Sequence, residues 1–120
     1  MFLLVPTAHV ASHAGAIEDM EEDVRNNPDD ASAHCKLAFN YLVLLEYTKA
    51  IKTFKQAIRL DPDNTIEART TEHTVNEFSH YGLGRTFLWM DDRNAAKEQY
   101  RILKGLDTEL ANTLYDMIYK

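Results

Sequence analysis

Three side chains have the types and spacing to hold a metal ion: His73, Glu77 and His80 stand at i, i+4 and i+7. On a helix they would share one face, and two imidazoles with a carboxylate suit zinc. Two features weigh against a site. No HExxH-type arrangement accompanies them, and His80 corresponds to His34 in the chain's internal periodicity, which marks it as a packing residue. His9 and His13 are weaker candidates still. For covalent chemistry the sequence offers Ser12-His13 and Ser79-His80, neighbours in sequence without an evident acid partner, which is no triad signal. Cys35 has only Lys36 as a nearby cation and reads as a small buried or groove-lining thiol rather than a nucleophile. The Gly82-Leu83-Gly84 run lacks the preceding strand and third glycine of a phosphate loop, and Gly84 has a packing role instead. The expectation is a chain without catalytic residues, metal or cofactor, in short not an enzyme.

Composition narrows the class further. A chain of 120 residues supports one domain, burying about 65% of the surface its unfolded form exposes. With 45% hydrophobic and 27% charged residues, four Gly and three Pro, it reads as helical and globular. Glu18, Asp19, Glu21, Glu22, Asp23, Asp29 and Asp30 against Arg25 account for the whole net charge of −6. Without a dominating basic patch, phosphate-driven nucleic-acid binding is not expected. A single cysteine excludes an intramolecular disulfide and fits a reducing compartment. At the start, Phe2 to Val5 are apolar, but no Lys or Arg precedes them and Pro6 stops the run, so a signal segment is not expected. No run reaches membrane-spanning length. A cytoplasmic protein is the expectation.

The elements that position these residues are legible in the periodicity. In Ala50 to Asn64 the residues Ala50, Ile51, Phe54, Ala57 and Ile58 share one helical face, Lys49, Lys52, Lys55 and Arg59 take the other, and Pro62 ends the helix. The chain then repeats itself. At an offset of 34, Ala16, Ile17, Met20, Val24 and Pro28 fall on Ala50, Ile51, Phe54, Ile58 and Pro62. At an offset of 46, Leu37, Tyr41, Ala50, Phe54 and Ala57 fall on Leu83, Phe87, Ala96, Tyr100 and Leu103.

This pattern resembles the tetratricopeptide repeat family, whose unit is a 34-residue helix-turn-helix. In residues 31–64, Leu37, Ala38 and Tyr41 match its first helix and Ala50, Phe54, Ala57 and Pro62 its second. His34 replaces the usual early Trp, and Leu45 the turn glycine. A degenerate unit at 77–110 carries Leu83, Gly84, Phe87, Ala96 and Tyr100, with Asp91 and Asp92 in its turn, suited to a left-handed backbone or a cap. Residues 7–30 form a truncated repeat helix with Thr7 as its cap after Pro6, Val10, Ala14, Ile17, Met20 and Val24 forming its apolar face. Residues 65–76 are an insertion, either an early start of the second unit's first helix, the favoured reading, or an inserted loop. Residues 108–120 supply a capping helix with Leu110, Leu114, Met117 and Ile118 on one face.

The resemblance implies an all-α fold, a short right-handed solenoid of helix-turn-helix repeats with a C-terminal capping helix. Stability should rest on Leu37, Tyr41, Ala50, Phe54, Ala57, Leu83, Phe87 and Tyr100. It also implies a concave face lined by the first helices, here Cys35, Phe39, Leu42 and Val43 in one unit and Phe78, Tyr81, Arg85, Leu88 and Trp89 in the next. Such an apolar, aromatic groove suits a peptide or helix of a partner protein, with Phe39, Tyr81 and Trp89 as anchors and Arg85 meeting a carboxylate or a ring. The Lys, Asn and Arg clamp by which some members hold a C-terminal carboxylate is not reproduced: Cys35 and Phe39 stand in its place, leaving Lys36, Asn40 and Arg85 loosely placed. Lys49, Lys52, Lys55 and Arg59, and then Arg93, Lys97, Arg101 and Lys104, read as solvated outer faces. The expected function is therefore a non-enzymatic adaptor. Self-assembly into a homo-oligomer through the truncated first repeat is the alternative, and a metal-dependent enzyme a remote third.

Overall fold

The computed structural model describes residues 4–68 and 71–120, with side chains from residue 15 onward. Within these, the chain is all-helical: α1 (Leu4–Asn26), α2 (Ala31–Val43), α3 (Tyr47–Leu60), α4 (Val75–Trp89), α5 (Arg93–Lys104) and α6 (Thr108–Tyr119). Consecutive helices pack side by side, α4 also touches α2 and α6, and the shortest dimension of 23 Å is two helix layers. It is a helical repeat solenoid, as expected. Helix α1 begins at Leu4, before the cap expected at Thr7. The side chains of Phe2 to Val5, His9 and His13 lie outside the described residues.

The first core forms where periodicity places it. Ile17, Leu37, Ala38, Tyr41, Leu42, Ala50, Phe54 and Leu83 are buried together, with Met20, Val24 and Phe87 against them. Phe54 is fully buried against Gly82, where an added Cβ would stand 2.2 Å from its ring. Tyr41 reaches back to α1, its hydroxyl donating to Glu21 at 2.5 Å. Burial, reinforced by that carboxylate, pushes the phenol far up. A second core joins Ala96 and Leu103 to Leu110, Ala111, Leu114 and Ile118, so α6 covers the end of the stack. Phe87 and Tyr100, expected as core, are half-buried at its margins. The basic residues of α3 face solvent, as do Arg93, Arg101 and Lys104, while Lys97 is half-buried over the Tyr119 ring.

Both intra-repeat turns close alike. Leu45 (φ 60°) and Asp91 (φ 62°) adopt the left-handed conformation. In the first, the Glu46 amide donates to the Tyr41 carbonyl at 2.9 Å; in the second, Asp92 donates to Phe87 at 2.8 Å. This is the bonding that ends a helix through a left-handed residue. Asp92 also caps α5, accepting from the Ala95 amide at 3.1 Å.

The insertion is not a helical extension. Residues 65–68 and 71–74 are non-helical and are joined by backbone bonds from Ala68 to His73 (3.0 Å) and from Val75 to Ile66 (2.6 Å). The reason is Asp61, only 1% exposed. Its carboxylate accepts from the backbone amides of Thr65 (2.8 Å), Ile66 (3.1 Å) and Asn76 (3.0 Å), holding the chain off a helical path. Thr74 and Glu77 then start α4 with a reciprocal capping box.

Candidate partner-binding groove

Helices α2 and α4 run as neighbours and present aromatic side chains between them. Phe39 is the hinge of the arrangement: its ring meets Phe78 at 4.5 Å and Phe54 at 4.8 Å between centroids. On one side of Phe39 lies a cavity of about 180 Å³ lined by Phe39, Leu42, Val43, Leu45, Arg85 and Trp89. On the other, a cavity of about 240 Å³ is lined by Cys35, Phe39, Phe78 and Ala68 with Ser32, Lys36 and Asn40. The two share Phe39 as a common wall.

The residues drawn from the sequence divide accordingly. Phe39, Leu42, Val43, Arg85 and Trp89 come together, and Cys35 and Phe78 join them across Phe39. Val43 at 54% and Trp89 at 61% exposure form the open edge, whereas Leu42 is buried and offers only one flank. Tyr81 lines neither cavity. It stacks beside Phe78, reaches Met117 of α6 with its hydroxyl 3.8 Å from the sulfur, and with Leu88 packs onto the second core. The helix that covers the stack thus takes up Tyr81. Sequence reading missed Ala68 and Leu45, the first because it enters from the loop.

Cys35 is buried in the groove floor, and burial pushes its thiol up to about 11, the Ser79 hydroxyl pulling weakly the other way. At neutral pH it is a protonated, apolar wall rather than a nucleophile. Arg85 lies 5.7 Å from the Tyr81 ring.

The residues weighed as metal ligands are separated. His80 Nδ1 pairs with Gln99 at 2.7 Å, and burial lowers the pKa of that imidazole, the Gln99 bond opposing. Glu77 is occupied by the Thr74 amide (3.2 Å) and the Asn64 amide group (3.0 Å). His73 instead meets two carboxylates that the sequence did not connect to it, Asp107 at 2.6 Å through Nδ1 and Glu109 at 3.2 Å through Nε2. Ligand atoms of these three lie within 4.8 Å of one another. The two contacts use different ring nitrogens, Nδ1 for Asp107 and Nε2 for Glu109. The geometry is that of an imidazole clasped between acids, fastening the loop to the start of α6, where Asp107 also caps the Leu110 amide at 3.0 Å.

Residues 31–64, which comprise α2, its left-handed turn, α3 and the turn after it, match the tetratricopeptide repeat family model. Repeats of this family generally mediate contacts between proteins and are typically found in non-enzymatic adaptors. Among the described residues no helix is long and apolar enough to cross a membrane. With the family match falling on the unit that the self-comparison isolates, and with that unit forming the paired helices the family requires, this chain carries a tetratricopeptide repeat at residues 31–64.

Proposed function

We propose that this chain is a non-enzymatic adaptor that holds a peptide or helix of another protein in the groove between α2 and α4. The supporting observation is the pair of apolar cavities on either side of Phe39, open along Val43 and Trp89. Binding by preformed shape needs anchors for a few side chains, and cavities of this size each accept one or two. Phe39, Leu42, Val43, Phe78, Arg85 and Trp89 would make the contacts. Tyr81 would contribute indirectly, by backing Phe78 and Arg85. The acidic chain argues against nucleic acid as the occupant, and the single buried thiol suits the cytoplasm.

The test uses exposed positions, so that folding and binding separate. Val43→Asp and Trp89→Ala should keep the helical circular dichroism and the denaturation midpoint of the parent while abolishing capture of partner proteins in pull-downs. Retention of every partner by both variants would rule the groove out.

Self-assembly is supported by a different surface. Tyr115, Met117 and Tyr119 are exposed on α6, with Lys97 over Tyr119, while Glu18, Asp19, Glu22 and Asp23 are exposed on α1. Such ends complement one another head to tail. Light scattering should then show association that weakens with salt; a monomer at high concentration and low salt would dismiss it.

A further inference from the structure

The groove has a charge pattern that shape alone does not explain. Among the described residues neither cavity is lined by a carboxylate, although the chain as a whole carries −6. Among the described residues each is lined by one cation, Lys36 on one side of Phe39 and Arg85 on the other, and neither makes an ion pair with another described residue. Arg85 is the more telling of the two. Its Nε is buried and has no hydrogen-bond partner among the described residues, and its guanidinium stands 5.7 Å from the Tyr81 ring. A half-buried guanidinium with an orphaned Nε, among Phe39, Leu42 and Trp89, has hydrogen-bonding capacity that the described residues leave unmet. Carboxylates fit a guanidinium with two parallel bonds, and the apolar walls strengthen the pairing by excluding water.

Resting on the groove reading above, we infer that its occupant is an internal, amphipathic segment of a partner protein in which an Asp or Glu lies beside bulky apolar side chains. The carboxylate pairs with Arg85, and the apolar side chains fill the cavities on either side of Phe39. The Arg85 guanidinium among apolar walls selects one carboxylate, not a run of phosphates, which would call for a continuous basic track. Lys36, exposed at the far cavity, adds a second, solvent-screened attraction for acidic residues flanking the segment.

Random segments of about twelve residues, displayed between fixed flanks so that no terminus is free, can be selected against the full chain and its variants. The parent should enrich an Asp or Glu next to aromatic or branched apolar residues. Selection on Arg85→Gln should keep the apolar pattern and lose the acid, and selection on Arg85→Glu should replace the acid by Lys or Arg. A synthetic parent-selected peptide should bind at least about tenfold more weakly when its acid is changed to the amide. That comparison uses the unaltered protein and is independent of how the Arg85 variants fold. Apolar binders without acidic enrichment, or a peptide indifferent to acid-to-amide exchange, would overturn this inference and leave the groove reading in place. Binders unaffected by Trp89→Ala and Val43→Asp would overturn both.

Discussion

Phe39 and Phe54 meet edge to face, centroids 4.8 Å apart and ring planes at 84°, so the central wall of the groove rests directly on the most enclosed side chain of the core. The proposed recognition surface and the fold share one contact. Phe54 can sit there only because Gly82 leaves the space, its missing Cβ lying where the ring edge passes.

Truncating that support should therefore be severe. Phe54→Ala is expected to destabilise by about 3 to 5 kcal/mol, as for other buried aromatics. Gly82→Ala should cost about 1 to 3 kcal/mol, because a fully enclosed ring must shift to admit the methyl group. Urea denaturation midpoints check both, and an unchanged midpoint in either variant would contradict this packing.

Leu45 offers the opposite experiment. A left-handed leucine carries a steric penalty of about 1 to 2 kcal/mol, partly offset against glycine by the extra freedom that glycine brings to the unfolded chain. Leu45→Gly should consequently stabilise by about 0.5 to 1 kcal/mol, read as a higher melting temperature. Because Leu45 also borders a groove cavity, the same substitution should weaken partner binding modestly while the fold gains.

Asp61→Ala should rank with the core substitutions, although no apolar contact is lost. Three backbone amides that its carboxylate satisfies would be left without acceptors, at about 1 to 3 kcal/mol for each one that stays buried. Asn76, whose side chain donates to the Asp61 carbonyl at 3.0 Å, would lose its alignment too. Faster amide exchange at Thr65, Ile66 and Asn76 would report the change, and unaltered exchange would refute it.

On the acid side two groups make stability depend on pH, both with the same sign. Burial raises the Asp107 pKa, but the Leu110 amide and His73 outweigh it and hold the carboxyl below its usual range. Its stabilisation is present above the unfolded value of about 3.9 and lost as pH falls through the lower folded one. His80, lowered by burial, prefers to fold neutral. Its contribution is full above about 6.5 and declines as pH falls below that toward its folded pKa. Denaturation at stepped pH should show His80→Gln flattening the upper part of the acid decline and Asp107→Asn the lower part.

The contrast between what could and could not be read from sequence follows the range of the interactions. Leu37, Tyr41, Ala50 and Phe54 announce themselves because a buried helix face recurs every third or fourth residue. Asp91 and Asp92 announced a turn through their type, and the structure assigns them both roles, the left-handed residue and the cap. Phe39, Arg85 and Trp89 are brought together because repeat register carries one helix's facing positions to the next. Tyr81 departs from that register's expectation because α6, reaching back across α4, takes it into the second core. The loop was illegible for a related reason. Its order comes from Asp61 acting on residues up to Asn76, and from His73 meeting Asp107 at a distance of 2.6 Å across two helices. Neither contact has a periodicity to betray it.

The way the loop is fastened also separates two jobs that most helical arrays leave entangled. Asp61 and Asn64 at its entrance bond directly to Asn76 and Glu77 at its exit, so its two ends are joined before its middle is specified. Closing a longer loop across such a clasp adds little free energy, since the entropic cost grows only with the logarithm of length. Of the described residues between Asn64 and Thr74, His73 ties the loop to α6 and Ala68 lines the groove, so Ala68 is the position that can be redrawn to suit a different occupant while the clasp and the His73–Asp107 bond stay in place.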